Sequence, residues 1–193
     1  MSEIKPLGKE ATKAALLDAA DELFGEKGPN SVTVRDISAA ANVNHALLHR
    51  HFGSKEAVLS AIIDRHRMTF KQDIREAADI EETVSNVFSG MINRPAFART
   101  FAHLLLDHRP VEEFVSQAGG TADVAVRLVE AGVEEEEARR LSAILNSFSM
   151  GWTLFRSLST YAANCSSTME EMDEFACRAI QNIVTDIVEK AAK

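Results

Sequence analysis

The chain has 193 residues, enough for one large domain or for a small domain and a medium one. Its four prolines, nine glycines and two cysteines exclude collagen-like, low-complexity and disulfide-rich proteins. The net charge of −8 argues against a generic nucleic-acid binder, which is commonly basic, but this charge is unevenly distributed. Residues 1–67 contain nine Lys/Arg and nine Asp/Glu and sum to zero, whereas residues 68–193 contain 12 and 20 and carry the whole −8. The break near residue 67 predicts two functional regions.

Helical periodicity dominates the chain from its first segment onward. The first helix is predicted at 9–26, and Gly28 followed by Pro29 ends it. Its apolar face consists of residues at three- and four-residue steps, namely Leu16, Ala20, Leu23 and Phe24. Scattered β-branched residues and the lack of an Asn-Gly or Asp-Gly hairpin signal favour an all-α protein.

The next segment has the spacing of a helix-turn-helix. Thr33 is a good N-cap for a second helix, with Asp36 at the capping-box distance of three residues. Asn42 interrupts the apolar pattern, and asparagine tolerates the left-handed backbone conformation of a turn. Asn44 can then cap a short third helix that ends near Phe52. Two helices joined by a turn of three or four residues, in about 20 residues, are the helix-turn-helix signature.

The third helix has an unusual outer face. At 100° per residue, Leu48 and Phe52 point together toward the first two helices. The outward positions are then Ala46, Leu47, His49 and Arg50, flanked by His45 and His51. An exposed arginine can pair with guanine or phosphate, and an exposed leucine can contact a thymine methyl group. This face therefore favours a DNA major groove over an ordinary solvated surface.

The rest of the chain also has helical patterns. A fourth helix is predicted at 54–78, and the later ones at 81–93, 95–107, 110–117, 121–131, 134–163 and 168–191. Gly119, Gly120 and Gly132 mark turns. With no secretory segment at the start, and with the longest apolar run shorter than the roughly 20 residues of a membrane helix, we expect a cytoplasmic protein.

Residues 10–65 resemble the DNA-binding domain of the TetR family of bacterial, ligand-responsive transcription regulators. The resemblance is carried by Ala20, Leu23, Phe24, Gly28, the run TVRDI at 33–37, Ala41, Val43 and the run LHRHFGSKEAVL at 48–59. It implies an N-terminal three-helix DNA-binding domain at 9–67, with the helix-turn-helix at about 33–52. It also implies a helical effector-binding and dimerisation domain at 68–193, for about nine or ten helices in total.

The resemblance also assigns residue roles. Thr33, with the amides that begin the second helix, and Lys55 would contact phosphate, whereas His45, Ala46 and Leu47 would face base edges. The predicted DNA-binding residues are Thr33, Arg35, Asn44, His45, Ala46, Leu47, His49, Arg50 and Lys55. Asn42 departs from the family by replacing a glycine of the turn, and His49 replaces a phosphate-binding tyrosine. A histidine contact would depend on pH.

The C-terminal region predicts a dimer and a ligand site. The last two helices have apolar seams too broad for one monomer, which favours a homodimeric four-helix bundle. Apolar and aromatic residues of the middle and late helices are candidates to line a cavity for a small apolar or amphipathic effector. They are Phe88, Met91, Phe101, His103, Trp152 and Phe155. A filled core is the alternative interpretation for any one of them.

These features predict a transcription regulator, specifically a repressor that a small-molecule effector releases from a palindromic operator. The alternative is a ligand-binding protein of the same fold that has lost specific DNA binding, and the departures at Asn42 and His49 give this alternative weight. An enzyme is not expected, because no catalytic motif stands out. Neither a metal nor a cofactor is expected, since His45 and His49 lack the glutamate that follows the first histidine of a metalloprotease motif.

Overall fold

The computed structural model describes residues 8–115 and 120–191, and their regular secondary structure is helical, with no strand in these ranges. The all-α prediction is confirmed. The α-helices in the described ranges are α1 (Lys9–Lys27), α2 (Val34–Ala40), α3 (His45–Phe52), α4 (Lys55–Glu76), α5 (Ile80–Ile92), α6 (Pro95–Leu106), α7 (Thr121–Glu130), α8 (Glu135–Ala162) and α9 (Met169–Ala191). None of these helices has the length and apolar character needed to span a bilayer.

The helix expected at 110–117 is the clearest difference from the sequence prediction. The structure has a single 3₁₀ turn there, Val111–Glu113, after Pro110. So short a segment gains few intrahelical hydrogen bonds against the cost of nucleating a helix. Positions 116 and 117 of that prediction, and the turn expected at Gly119, lie outside the described residues.

The chain packs as two compact units. Among the described residues, the first comprises 8–66 together with Ala96–Val115, and the second comprises Arg67–Pro95 and 120–191. This division by packing places α6 with helices α1 to α3 and the first part of α4, whereas the sequence-based domains run 9–67 and 68–193.

The first unit has a core of buried side chains from every one of its helices. Phe24 of α1, Ile37 of α2, Leu48 of α3 and Ile62 of α4 are each almost inaccessible to solvent, and Leu104 of α6 joins the same cluster. Burial of such side chains contributes about 1.5–3 kcal/mol each relative to exposure. The apolar faces that the sequence predicts on α1 and α3 therefore meet one another and α6.

Helices α1 and α6 pack closely at a glycine. A Cβ atom on Gly25 would lie 2.6 Å from the Cα of Ala96 and 2.8 Å from its carbonyl oxygen, so only glycine fits without a backbone shift. The contact extends beyond α1, where the Asn30 side chain donates to the Asp107 carboxylate at 2.9 Å. The C-terminal end of α1 is thus in direct contact with α6.

A buried polar cluster links α1, α4 and α6. His66 Nε2 lies 2.7 Å from Oδ2 of Asp21, and the Arg65 guanidinium lies 3.2 Å from the same oxygen. The His66 ring also packs against Phe97, with ring centroids 4.5 Å apart. Removing one partner from such a buried network leaves the other polar group without compensation, which is strongly destabilising.

Besides α5, α7, α8 and α9, the second unit contains the last part of α4, with Ile74 in its core. The four complete helices contribute Phe88, Leu128, Leu145, Ile180 and Val184 to the same core. A hydrogen bond and an ion pair also join the last two helices. The Trp152 indole donates to Oδ1 of Asp173 at 2.8 Å, and Arg156 is paired with the other oxygen of that carboxylate.

Candidate nucleic-acid interface

The N-terminus of α2 is held by a capping box. The amide of Asp36 donates to the Thr33 hydroxyl oxygen at 3.2 Å, and the Thr33 amide donates to the Asp36 carboxylate at 2.8 Å. The Thr33 hydroxyl also donates to that carboxylate, with 2.7 Å between the two oxygens. The hydrogen bond from the Thr33 hydroxyl has the larger effect and the one from the Thr33 amide the smaller, and both lower the pKa of the Asp36 carboxyl. The cap is therefore complete at neutral pH and weakens only as acid protonates Asp36.

Both hydrogen-bond donors of Thr33 are thus used within its own cap. The sequence predicts a phosphate contact for Thr33, yet here its hydroxyl and its amide both point to Asp36. In the free protein Thr33 consequently acts as a cap that sets where α2 begins.

The turn between α2 and α3 depends on two asparagines. Asn42 has a φ of 52°, the left-handed conformation that the sequence predicts for it. Asn44 then begins α3, because its side-chain oxygen accepts the amide of Ala46 at 2.9 Å. Both features follow from local chemistry, since asparagine is among the few residues that favour either role.

We expect the two simplest substitutions of Asn42 to have unequal effects. Asn42→Val should lower the free energy of unfolding by about 1–2 kcal/mol, because a β-branched side chain clashes in the left-handed conformation. Asn42→Gly should change it by less than about 1 kcal/mol. Urea denaturation followed by circular dichroism measures both. Equal stability of the valine variant and the unaltered protein would contradict the role given to this turn.

Helix α3 presents the outer face that the sequence predicts. Leu48 is fully buried, and Phe52 is half-buried with the Lys13 ammonium 5.8 Å from its ring centroid. The exposed residues of this helix are His45, Ala46, His49 and Arg50, with Leu47 half-exposed beside them. Of these, Ala46 and Arg50 lie on the side opposite Leu48. The exposed side chains include no carboxylate, so this face can approach DNA without placing negative charge against phosphate.

The charge of this segment supports the same use. Residues 31–55 contain Arg35, Arg50 and Lys55 against a single acid, Asp36, which gives a local charge of +2. Arg35 is exposed on α2. Net positive charge in this segment of a chain of net charge −8 attracts phosphate locally, while the remainder repels nonspecific duplex.

Lys55 has a structural role that the sequence does not reveal. Its ammonium donates to the carbonyl oxygens of Pro29 at 2.6 Å and Val32 at 2.9 Å, across the loop between α1 and α2. An ammonium has three hydrogens, so one remains for a phosphate. Lys55→Ala would therefore disturb this loop as well as any DNA contact.

His49 is also tied to the backbone. Its Nδ1 lies 2.9 Å from the carbonyl oxygen of Gly53, the residue that ends α3 with a φ of 83°. Gly53 is not among the site residues that the sequence predicts. A glycine at helix position i+4 from a histidine is the signal that could have indicated it.

The six predicted ligand-site residues fall in both compact units. Phe101 and His103 lie on α6 in the first unit, where Phe101 packs edge-on against Phe97 and Phe114 and His103 lies against Gly28.

The other four lie in the second unit. Phe88 and Met91 are buried on α5, Trp152 is half-buried on α8, and Phe155 is exposed. Phe148 stacks between Phe88 and Trp152, with ring centroids 5.9 and 6.3 Å away, and was not predicted as a site residue.

Known proteins share this helix-turn-helix and this fold. A family model described as bacterial regulatory proteins, tetR family, matches residues 16–62. The HTH-type transcriptional repressor Rv3405c of Mycobacterium tuberculosis is 30% identical over 150 residues, which cover 78% of this chain and 76% of that protein. The crystal structure of a regulatory protein in the tetR family from Rhodococcus RHA1 has a TM-score of 0.68 at 17% identity, over 91% of this chain and 96% of that one. A TetR variant from Acinetobacter baumannii in complex with minocycline has a TM-score of 0.59 at 17% identity, over 97% and 99%.

A helix-turn-helix with an exposed second helix, followed by a separate helical unit, defines a DNA-binding transcription regulator. The chain belongs to the TetR family of these regulators, as its resemblance over residues 10–65 predicts.

Proposed function

We propose that this protein is a cytoplasmic repressor that binds a palindromic operator as a homodimer and is released by a small-molecule effector. The observation that carries the proposal is the exposed face of α3, where Ala46 and Arg50 lie about 160° around the helix from the buried Leu48 and His45 and His49 are exposed beside them. Helix α3, the second helix of the helix-turn-helix, can therefore enter a major groove with its N-terminal residues at base edges. The repressor named above, at 30% identity, supports repression as the mode of action.

The dimer is supported by an exposed apolar face on the last two helices. The large apolar side chains exposed on α8 and α9 are Ile144, Phe155, Leu158, Tyr161, Phe175 and Ile183, and each is more than half exposed. Several large apolar side chains exposed on one pair of helices are typical of an interaction site. A second copy of the same helices can cover it in a two-fold symmetric bundle, and two-fold symmetry matches a palindromic site.

The effector site is proposed in the second unit, around the aromatic stack of Phe88, Phe148 and Trp152. Met91 is buried on the same helix as Phe88. Apolar and aromatic walls with a few polar groups suit a small apolar or amphipathic molecule. The structure solved with minocycline supports a small-molecule effector for a protein of this fold.

The direct test measures binding to the DNA upstream of the protein's own coding sequence by fluorescence anisotropy, at several salt concentrations. If Arg50 contacts a base, we expect Arg50→Ala to weaken specific binding by about 5- to 150-fold. If Arg50 contacts a phosphate instead, the slope of log affinity against log salt concentration should fall by about 1 per subunit. Lys55 is left unaltered because it also supports the loop between α1 and α2.

Arg140→Ala is the matched control for this test. Arg140 is an exposed arginine on α8 in the second unit, so its replacement makes the same change in net charge away from α3. We expect it to leave both the affinity and the salt slope within about twofold of the unaltered protein. If the two variants bind equally well, α3 is not the helix that contacts the DNA. If no duplex is bound specifically, the alternative of a ligand-binding protein without DNA binding is correct.

A further inference from the structure

The turn that ends α3 holds the imidazole of His49 in one tautomer. Nδ1 lies 2.9 Å from the Gly53 carbonyl oxygen, and the Gly53 amide donates back to the His49 carbonyl oxygen at 2.9 Å. A carbonyl oxygen only accepts hydrogen bonds, so the hydrogen of the first bond is carried by Nδ1. The other ring nitrogen, Nε2, is consequently a lone-pair acceptor whenever the ring is neutral.

This tautomer prevents a neutral His49 from donating to a phosphate. Phosphodiester oxygens are negatively charged acceptors, so the protein side must supply the hydrogen. A tyrosine hydroxyl, which the family resemblance implies at this position, donates at any pH near neutrality. His49 can donate from Nε2 only after it has taken up a proton, and the imidazolium then makes a charge-assisted hydrogen bond.

We propose that His49 makes operator binding proton-linked, with one proton taken up per subunit at Nε2 when the side chain contacts a DNA phosphate. This inference rests on the proposed DNA-binding function. His49 is exposed in the second half of the eight-residue α3, beyond the N-terminal residues that contact base edges in a helix-turn-helix. The consequence is a repressor that binds its operator more tightly as the pH falls.

Other charged and titratable groups on the neighbouring helices must be separated from His49. They include His45, Arg50 and His51 on α3, Lys13 on α1, Arg35 and Asp36 on α2, and Lys55 and Glu56 at the start of α4. Lysine and arginine ordinarily stay charged near neutral pH. Asp36 stays ionised there, because its hydrogen bonds to Thr33 lower its pKa. His45 and His51 are of the residue type that titrates in the relevant range, so each needs its own control.

The experiment measures the affinity of the full-length protein for the duplex upstream of its coding sequence between pH 6.5 and 8, at constant ionic strength. If up to two protons are taken up per dimer, the affinity should rise about 10- to 100-fold from pH 8 to pH 6.5. In the His49→Gln variant the side-chain amide donates at every pH, so its affinity should vary by less than about threefold. His45→Gln and His51→Gln should each retain the pH dependence, whatever their affinity.

Each outcome has a distinct meaning. Equal pH dependence of the unaltered protein and His49→Gln, with both still binding the operator, overturns the proton linkage and leaves the DNA-binding function intact. Loss of the pH dependence in either control variant assigns the proton to that histidine and overturns the role of His49. If the unaltered protein binds no duplex specifically at any pH, the proposed function fails and this inference fails with it.

A second measurement tests the tautomer without DNA. Long-range ¹H–¹⁵N correlation spectra of the histidine-labelled protein distinguish Nδ1–H from Nε2–H rings, and the signal missing from His49→Gln identifies His49. At high pH we expect the Nδ1–H form. An Nε2–H ring would overturn the inference, because a neutral His49 could then donate to phosphate as a tyrosine does.

Discussion

Replacing Leu48 with alanine lowers the free energy of unfolding of the first unit by about 2–5 kcal/mol, the range for deleting a fully buried leucine side chain. Leu48 is 0% exposed and belongs to one cluster with Leu16, Phe24 and Ile37. The cavity left by the substitution removes contacts from α1 and α2 as well as from α3. Urea denaturation followed by circular dichroism gives the change, and operator binding should fall with the loss of folded protein.

The neighbouring leucine is a matched control. Leu47 is half-exposed on the outer face, one residue from Leu48 and 100° around the helix. Leu47→Ala should change the unfolding free energy by no more than about 0.5–1 kcal/mol, while reducing specific over nonspecific DNA binding. If the two alanine variants are equally destabilised, the assignment of inner and outer faces of α3 is wrong.

Placing two glutamates on the apolar face of α8, as Phe155→Glu with Leu158→Glu, should convert the protein from a dimer to a monomer. These side chains are 57% and 65% exposed in the single chain, so the glutamates cost little in the folded monomer. In the proposed dimer they would be buried without partners, which is prohibitive. Light scattering should then give 21.2 kDa at micromolar concentration instead of twice that mass.

The same variant should lose most of its operator affinity. Two linked DNA-binding units bind a palindrome about 10²- to 10⁴-fold more tightly than one, and a monomer loses this gain. Val126→Glu is the control, because Val126 is 56% exposed on α7 and lies outside α8 and α9. We expect it to remain dimeric and to bind DNA normally. A dimeric double-glutamate variant would exclude this face as the interface.

Local features of the helix-turn-helix agree closely with the sequence prediction. Thr33 and Asn44 cap α2 and α3 as expected, and Asn42 takes the left-handed conformation. Each depends on interactions within about four residues, which composition and spacing reveal directly. The inward direction of Leu48 likewise follows from helical periodicity.

The sequence does not predict the features that depend on distant parts of the chain. The Lys55 ammonium donates to carbonyl oxygens 23 and 26 residues away, and no pattern around residue 55 indicates those acceptors. Gly25 approaches Ala96, some 70 residues later, because α6 packs on α1. Periodicity indicates which face of a helix is apolar, but the partner of that face is set by the tertiary arrangement.

Residue types and their spacing are enough to predict the helical class, the helix-turn-helix, the outer face of α3 and the family resemblance. Those properties depend on residue types and short spacings, which can be seen in the sequence before the three-dimensional packing is known. Only the folded arrangement of the chain shows that α6 packs in the first unit and that Lys55 donates to carbonyl oxygens of the loop between α1 and α2. The same is true of the His49 ring nitrogen that bonds to Gly53. These depend on where individual atoms meet, and hydrogen bonding at fixed geometry determines which donors remain available to DNA.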